Sequence, residues 1–215
     1  ERATAALRLA LRHGTTAVRA QCHLDPEIGF KHIDALQCVK EAVADWMTLQ
    51  IVAFPQQGLL RDARTPALFR EAFERGADVM GGAANLDAGV PAREHIDAAF
   101  ALALAAGRDL DIHADLSLEP DAGLEDLELV HIARRTIEYG CQGRVTVGHA
   151  CTLDSVAPPV AAEAIALLAE ADITVTSQPD LYRLGREDRQ HVRRGLTRVK
   201  ELLAAGVNVT YASNN

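Results

Sequence analysis

Leu110-Asp111-Ile112-His113-Ala114-Asp115 is an apolar, strand-like run that ends on a histidine and an acid. Further along the chain a second run of the same kind, Val145-Thr146-Val147-Gly148-His149, again delivers an imidazole where a buried parallel strand would leave its sheet. Active sites of α/β barrels are assembled from side chains at the C-terminal ends of several strands. Two imidazoles on consecutive strand-helix units therefore predict both a parallel sheet and a working face at its C-terminal edge.

The sequence on either side repeats this rhythm. Short β-branched or apolar runs ending in polar residues alternate with Ala-, Leu-, Glu- and Arg-rich stretches of helical period, the pattern of βα units around a parallel sheet. Strands are expected over 15–22, 49–56, 78–85, 110–115, 144–150, 173–178 and 207–214, with helices over 2–13, 28–45, 65–76, 91–106, 124–139, 159–170 and 196–205. Gly14, Gly107, Gly140 and Gly206 follow helical stretches as C-cap signals, and Thr65-Pro66 opens one as an N-cap and first-turn proline. Seven strands, each with a helix before it, fall one short of the eight units that close a barrel of about 250 residues. The expectation is an α/β chain of TIM-like (β/α)8 barrel type lacking strand one and the C-terminal segment, forming one partial domain over residues 1–215. A doubly wound open sheet is the competing topology, but the Gly-rich phosphate loop of its nucleotide-binding version is absent.

Composition narrows the function. With 215 residues, 48% of them hydrophobic and 24% charged, the chain reads as a soluble globular protein. A formal charge of -8 with scattered Lys and Arg leaves no basic footprint, which argues against nucleic acid and anionic membrane and for a small neutral or cationic substrate. Cys22, Cys38, Cys141 and Cys151 show no paired spacing and are expected as reduced, buried thiols in a cytoplasmic setting. No run is long enough for a membrane span and no signal peptide opens the chain. A homo-oligomer is left open.

The strand ends list the candidate site. In chain order they offer Arg19 and Gln21, Gln56, Asn85, His113 with Asp115, His149, Gln178, and Asn214 with Asn215. A purely structural barrel fills such positions with branched apolar residues. Neutral imidazoles bind zinc and suit iron, and a catalytic ion keeps one position for a water whose pKa it lowers. His113 and His149 can supply two ligands, or one ligand and one group that polarises substrate; two alone do not complete a site. The other histidines, His13, His23, His32, His95, His131 and His191, fall in helices or loops and are expected to be solvated or capping.

Several of these strings together resemble the cytosine deaminase branch of the amidohydrolase superfamily: Leu49-Gln50-Ile51-Val52-Ala53-Phe54-Pro55-Gln56, Gly76-Ala77-Asp78-Val79, Asp111-Ile112-His113-Ala114-Asp115, Val145-Thr146-Val147-Gly148-His149, and Gly195-Leu196-Thr197-Arg198-Val199-Lys200-Glu201-Leu202-Leu203. The resemblance implies a distorted eight-stranded barrel that hydrolyses C–N bonds of cyclic amides or amidines with one divalent ion, zinc or iron. It implies that Gln56 reads the amide edge of a ring, that His113 is a metal ligand, and that His149 polarises the substrate or the water. Asn214 falls at the strand-eight metal aspartate, and Asn215 beside it is assigned to substrate binding.

Two positions depart from that pattern. Leu116 stands where the family's His-x-x-Glu carries its proton-shuttling glutamate, and Asn214 replaces an aspartate. Leucine moves no protons, and asparagine offers a carbonyl oxygen but no base. Asp115 is the candidate catalytic stand-in, with Glu119 as a second; the plainer alternative is that Asp115 caps the following loop. Three readings stay open: a deaminase-like hydrolase of a pyrimidine-, triazine- or pterin-like ring, a barrel of the same descent that binds a heterocycle without hydrolysing it, and a fragment unable to assemble the site alone. The polar loop 180–194 is either a lid or a solvated connection.

Overall fold

The computed structural model describes residues 1–116, 121–178 and 197–213. Glu119, the loop 180–194, Asn214 and Asn215 lie outside the described residues. Seven helices and seven strands alternate through the rest: α1 (Arg2–Arg12), β1 (Ala17–His23), α2 (Lys31–Val43), β2 (Thr48–Phe54), α3 (Thr65–Glu74), β3 (Val79–Ala83), α4 (Ala92–Ala106), β4 (Asp109–Ala114), α5 (Glu128–Glu138), β5 (Val145–His149), α6 (Pro158–Glu170), β6 (Thr174–Ser177), α7 (Val199–Ala204) and β7 (Val209–Tyr211). Each expected element is present, with ends moved by a few residues.

The chain divides into two compact units, residues 1–110 and 111–215. In the first, β1 pairs with β2 in parallel from Ala17↔Thr48 to His23↔Phe54, and β2 with β3 through Val52↔Val79 and Ala53↔Met80. In the second, β5 pairs with β6 and β6 with β7, again in parallel and in chain order. Strand β4 begins at the close of the first unit and lies mostly in the second.

Local chemistry accounts for the element ends. Strand β2 stops at Phe54 rather than the expected Gln56 because Pro55 has no N–H to give to a ladder. Gly107 caps α4 with a left-handed φ of 64°, as its place after the helix predicts. The expected helix over 124–139 opens as a separate 3-10 turn, Leu124–Asp126, before α5 proper. Residues 51–54 are all buried, as in a strand covered on both faces. In the first unit Leu7 of α1, Val43 of α2, Met47 and Leu49 form a buried cluster, flanked by Leu11, Val18, Val39 and Trp46.

Three expectations need correction. Strand β1 runs to His23, so that histidine is a strand-end residue, whereas Arg19 lies on an exposed stretch of the strand, its guanidinium bonded to Gln50 at 3.0 Å. His95 is neither solvated nor a cap. It is fully buried in α4, where it accepts the Ala83 N–H and faces the Asp87 carboxylate. Cys22, Cys141 and Cys151 are buried as expected, but Cys38 is exposed on α2; no disulfide joins the four. Burial pushes the Cys22 thiol up to about 11, which keeps it protonated at neutral pH. No helix among the described residues is long and apolar enough to cross a membrane.

Gly81 marks where β3 is pressed hardest against β2. A Cβ there would sit 2.6 Å from the Ala53 carbonyl oxygen and 2.9 Å from the Phe54 and Val52 side chains. Gly81→Ala is expected to destabilise the protein by about 2 kcal/mol, the cost of overpacking against backbone that has no room to yield. Denaturant unfolding of the two proteins checks this, and equal midpoints would show that the strands can part.

Candidate active site

In the second unit the ends of β4, β5 and β6 bring three polar side chains together. The rings of His113 and His149 lie edge to face with centroids 4.8 Å apart. Gly148 makes room for them: a Cβ on it would be 3.0 Å from His113 Cδ2 and 3.7 Å from the Gln178 side-chain nitrogen. Gln178 directly follows β6, is 6% exposed, and its Oε1 has no hydrogen-bond partner among the described residues. A buried amide oxygen of that kind is an acceptor waiting for a donor.

Neighbouring residues on a strand point to opposite faces, so Gly148 and His149 would not ordinarily serve the same side. The backbone leaves the extended path here. His149 has φ 76° and Ala150 φ 51°, left-handed values that cost a non-glycine residue of order 1 kcal/mol or more and that gather at functional sites. Several bonds hold the strained turn in place. Thr197 Oγ1 donates to the His149 carbonyl at 2.7 Å, Ala150 N–H donates to Ala114 O, and Cys151 and Thr152 N–H both donate to Asp115 O.

Asp115 itself, with φ 53°, is turned toward the start of α5. Its carboxylate accepts the N–H groups of Glu128 at 3.2 Å and Leu129 at 2.9 Å, while Glu128 Oε2 accepts the Asp115 N–H at 2.9 Å. The carboxylate supplies from outside the helix the cap that Leu127, at the N-cap position, cannot. Burial, then the charge of Glu128, push the Asp115 carboxyl up to about 7 against the pull of the two amides. Burial also holds the His113 ring below the ordinary histidine range, opposed by the nearby Asp111 carboxylate, so at neutral pH it is the unprotonated form that a metal binds. Leu116 follows Asp115, half-buried.

In the first unit Gln56 is exposed just past the end of β2, and Asn85 is exposed in the turn Ala84–Leu86 after β3. His23 closes β1, its Nε2 2.5 Å from Asp25, and Asp25 accepts the N–H groups of Glu27 at 2.7 Å and Ile28 at 2.9 Å. The sequence signal for His23 is the string His23-Leu24-Asp25, an imidazole and a carboxylate two apart after a strand, which repeats the spacing of His113-Ala114-Asp115.

The donors present make part of a metal site. His113 and His149 are two imidazoles side by side, yet no group of three or more His, Cys, Asp or Glu side chains among the described residues is arranged to hold an ion. Of the residues singled out from the sequence, His113, His149 and Gln178 are thus brought together, and Asp115 is tied to them through the backbone.

The amidohydrolase family model matches residues 2–213. The chain belongs to the amidohydrolase family. It is 34% identical over 216 residues to a pterin deaminase of Rhizobium rhizogenes, covering 97% of this chain and 47% of that protein. Among solved structures it is similar to the N-isopropylammelide isopropylaminohydrolase of Burkholderia multivorans, with a TM-score of 0.83 at 29% identity over 97% of this chain and 50% of that one. It is also similar to the 5-methylcytosine deaminase of Klebsiella pneumoniae solved with 5-fluorocytosine, with a TM-score of 0.79 at 33% identity over 94% of this chain and 48% of that one. The chain spans about half the length of these relatives, and across that span its fold is the parallel α/β fold of amidohydrolase barrels.

Gly148→Ala tests the packing of the histidine pair. A methyl group 3.0 Å from His113 Cδ2 is expected to displace the ring and shift the imidazole NMR signals of both histidines, at a stability cost of about 1 kcal/mol. Unmoved signals would mean the ring has slack that the structure denies it.

Proposed function

We propose that this chain carries active-site residues of a metal-dependent hydrolase that cleaves an exocyclic C–N bond on a small nitrogen heterocycle of the pyrimidine, triazine or pterin kind. The observation that carries this reading is the His113–His149 pair beside Gln178 at consecutive strand ends, in a family whose similar members are named for deamination of pterin and 5-methylcytosine. His113 offers one imidazole to a divalent ion, zinc or iron, and Asn214 is the candidate for a further, neutral oxygen ligand. Such an ion, when bound, makes water a nucleophile at neutral pH and polarises the bond under attack.

The chain's own residues do the rest. His149 donates to or accepts from the ring atom nearest the scissile bond in this reading, supported by its ring lying 4.8 Å from that of His113. Gln56 offers both a carbonyl oxygen and an NH2 group, the complement of a cyclic amide edge, and Asn215 is assigned to the same task. Gln178 adds a buried amide whose oxygen is available to a ring N–H. Asp115 enters as the group that locks the β4 end to α5 and so fixes His113; with its oxygens taken by two amides, its share of the chemistry is positional.

Purified protein loaded with zinc or iron is expected to release ammonia or an amine from at least one of cytosine, an amino-triazine and pterin, and His113→Ala is expected to lose the bound metal together with the activity. Metal-loaded protein that is silent across the panel overturns hydrolysis.

Leu116 favours a second reading, binding without turnover, since a leucine stands where the resemblance places the proton-carrying carboxylate. Under that reading the metal-loaded protein releases no amine, and Leu116→Glu combined with Asn214→Asp brings on release or raises the metal content. No change in either counts against binding without turnover.

A further inference from the structure

The loop that presents Gln56 is held by a buried relay whose donors all converge on one carboxylate. At the end of β3 the Ala83 N–H donates to Nε2 of His95 at 3.0 Å, so Nε2 carries the lone pair and the ring proton sits on Nδ1. Nδ1 in turn donates to Asp87 Oδ2 at 2.5 Å. The same carboxylate accepts three consecutive backbone N–H groups of the β2–α3 loop, from Leu59 at 3.0 Å, Leu60 at 3.0 Å and Arg61 at 3.2 Å. Both side chains of the dyad are 0% exposed.

A buried carboxylate facing a neutral ring is an expensive way to tie down a loop. Burial raises the Asp87 pKa, but the bonds from His95, Leu60 and Leu59 outweigh it and hold the acid below the ordinary range, while burial holds His95 below its own. The dyad is therefore an anion bound to a neutral imidazole, with the donors from Ala83 through His95 and those from the loop both ending on Asp87. Gly58 is shaped to it: φ is +93°, and a Cβ would fall 2.3 Å from Asp87 Oδ1. Upstream, Gln56 N–H bonds Phe54 O at 3.0 Å and Gly58 N–H bonds Pro55 O at 2.9 Å. Gln56 and Gln57 are thus the exposed crest of a short loop fastened on one side to β2 and on the other to Asp87.

We propose that Asp87 and His95 are positioning residues for Gln56, fixing the loop so that its side-chain amide meets the amide edge of a nitrogen heterocycle in one pose. This rests on the reading of Gln56 as a ring contact. The dyad touches no substrate itself; it acts through the three amides it holds.

The test uses the full chain, with 5-fluorocytosine and pterin as probes measured by calorimetry, and amide hydrogen exchange over residues 54–61. Asp87→Asn breaks the relay in either amide orientation, because the asparagine NH2 then faces either Nδ1–H of His95 or the Leu60 and Arg61 N–H groups, donor against donor. Gly58→Ala pushes on the Asp87 carboxylate from the loop side while leaving both dyad residues unsubstituted. Both variants are expected to speed exchange at Leu59, Leu60 and Arg61 at least tenfold and to weaken probe binding about tenfold, a loss the size of one hydrogen bond. In a Gln56→Ala background neither should weaken binding further, as for residues acting through one contact. Unchanged exchange in both variants overturns the anchor. Faster exchange with undiminished binding overturns positioning while Gln56→Ala still weakens binding. A Gln56→Ala variant that binds like the wild type, or a wild type that binds neither probe, overturns the reading of Gln56 on which the proposal rests.

Discussion

Parallel strands end with backbone N–H groups that have lost their ladder, beside helices or loops whose first amides have no partner of their own. A buried amide left bare costs about as much as a lost hydrogen bond. This protein meets that constraint with carboxylates placed just past its strands. Asp25 takes two amides after β1, Asp87 takes three from the loop after β2, and Asp115 takes the first two of α5. The histidines of interest stand next to these acids: His23 two residues before Asp25, His95 against Asp87, and His113 two residues before Asp115. The site is therefore placed by the same bonds that satisfy the backbone.

How much of this could be read from the sequence follows from what each signal measures. The runs around Ile51–Phe54 and Val145–His149 are short, β-branched or apolar, and flanked by turn residues, so strand identity and order were plain. Their ends were less so. Nothing in Cys22-His23-Leu24 marks His23 as the last strand residue; Leu24 N–H still donates to Phe54 O, and β1 stops because its partner β2 ends at Phe54, before Pro55. His95 reads as a helix surface residue because its neighbours Arg93, Glu94 and Asp97 are charged; only the fold reveals that it lies on the inward face and meets Asp87.

The candidate site divides along the same line. That His113 and His149 occupy consecutive strand ends was legible from the pattern alone, and their approach to 4.8 Å agrees with it. The left-handed turn at His149 and Ala150 was not, because positive φ at such residues arises from tertiary bonds rather than local preference. The double meaning of Asp115 was visible as a choice between a chemical group and a cap. Its two amide partners weigh toward the cap, while burial and the Glu128 charge push its carboxyl up all the same.

Thr197 lies far along the chain from His149, yet its hydroxyl is what the strained carbonyl of that histidine leans on. The aim of the second imidazole is thus under the control of a residue in a different part of the sequence, on the approach to α7. A lineage that drifts at Thr197 changes how the His149 backbone is held without altering either histidine.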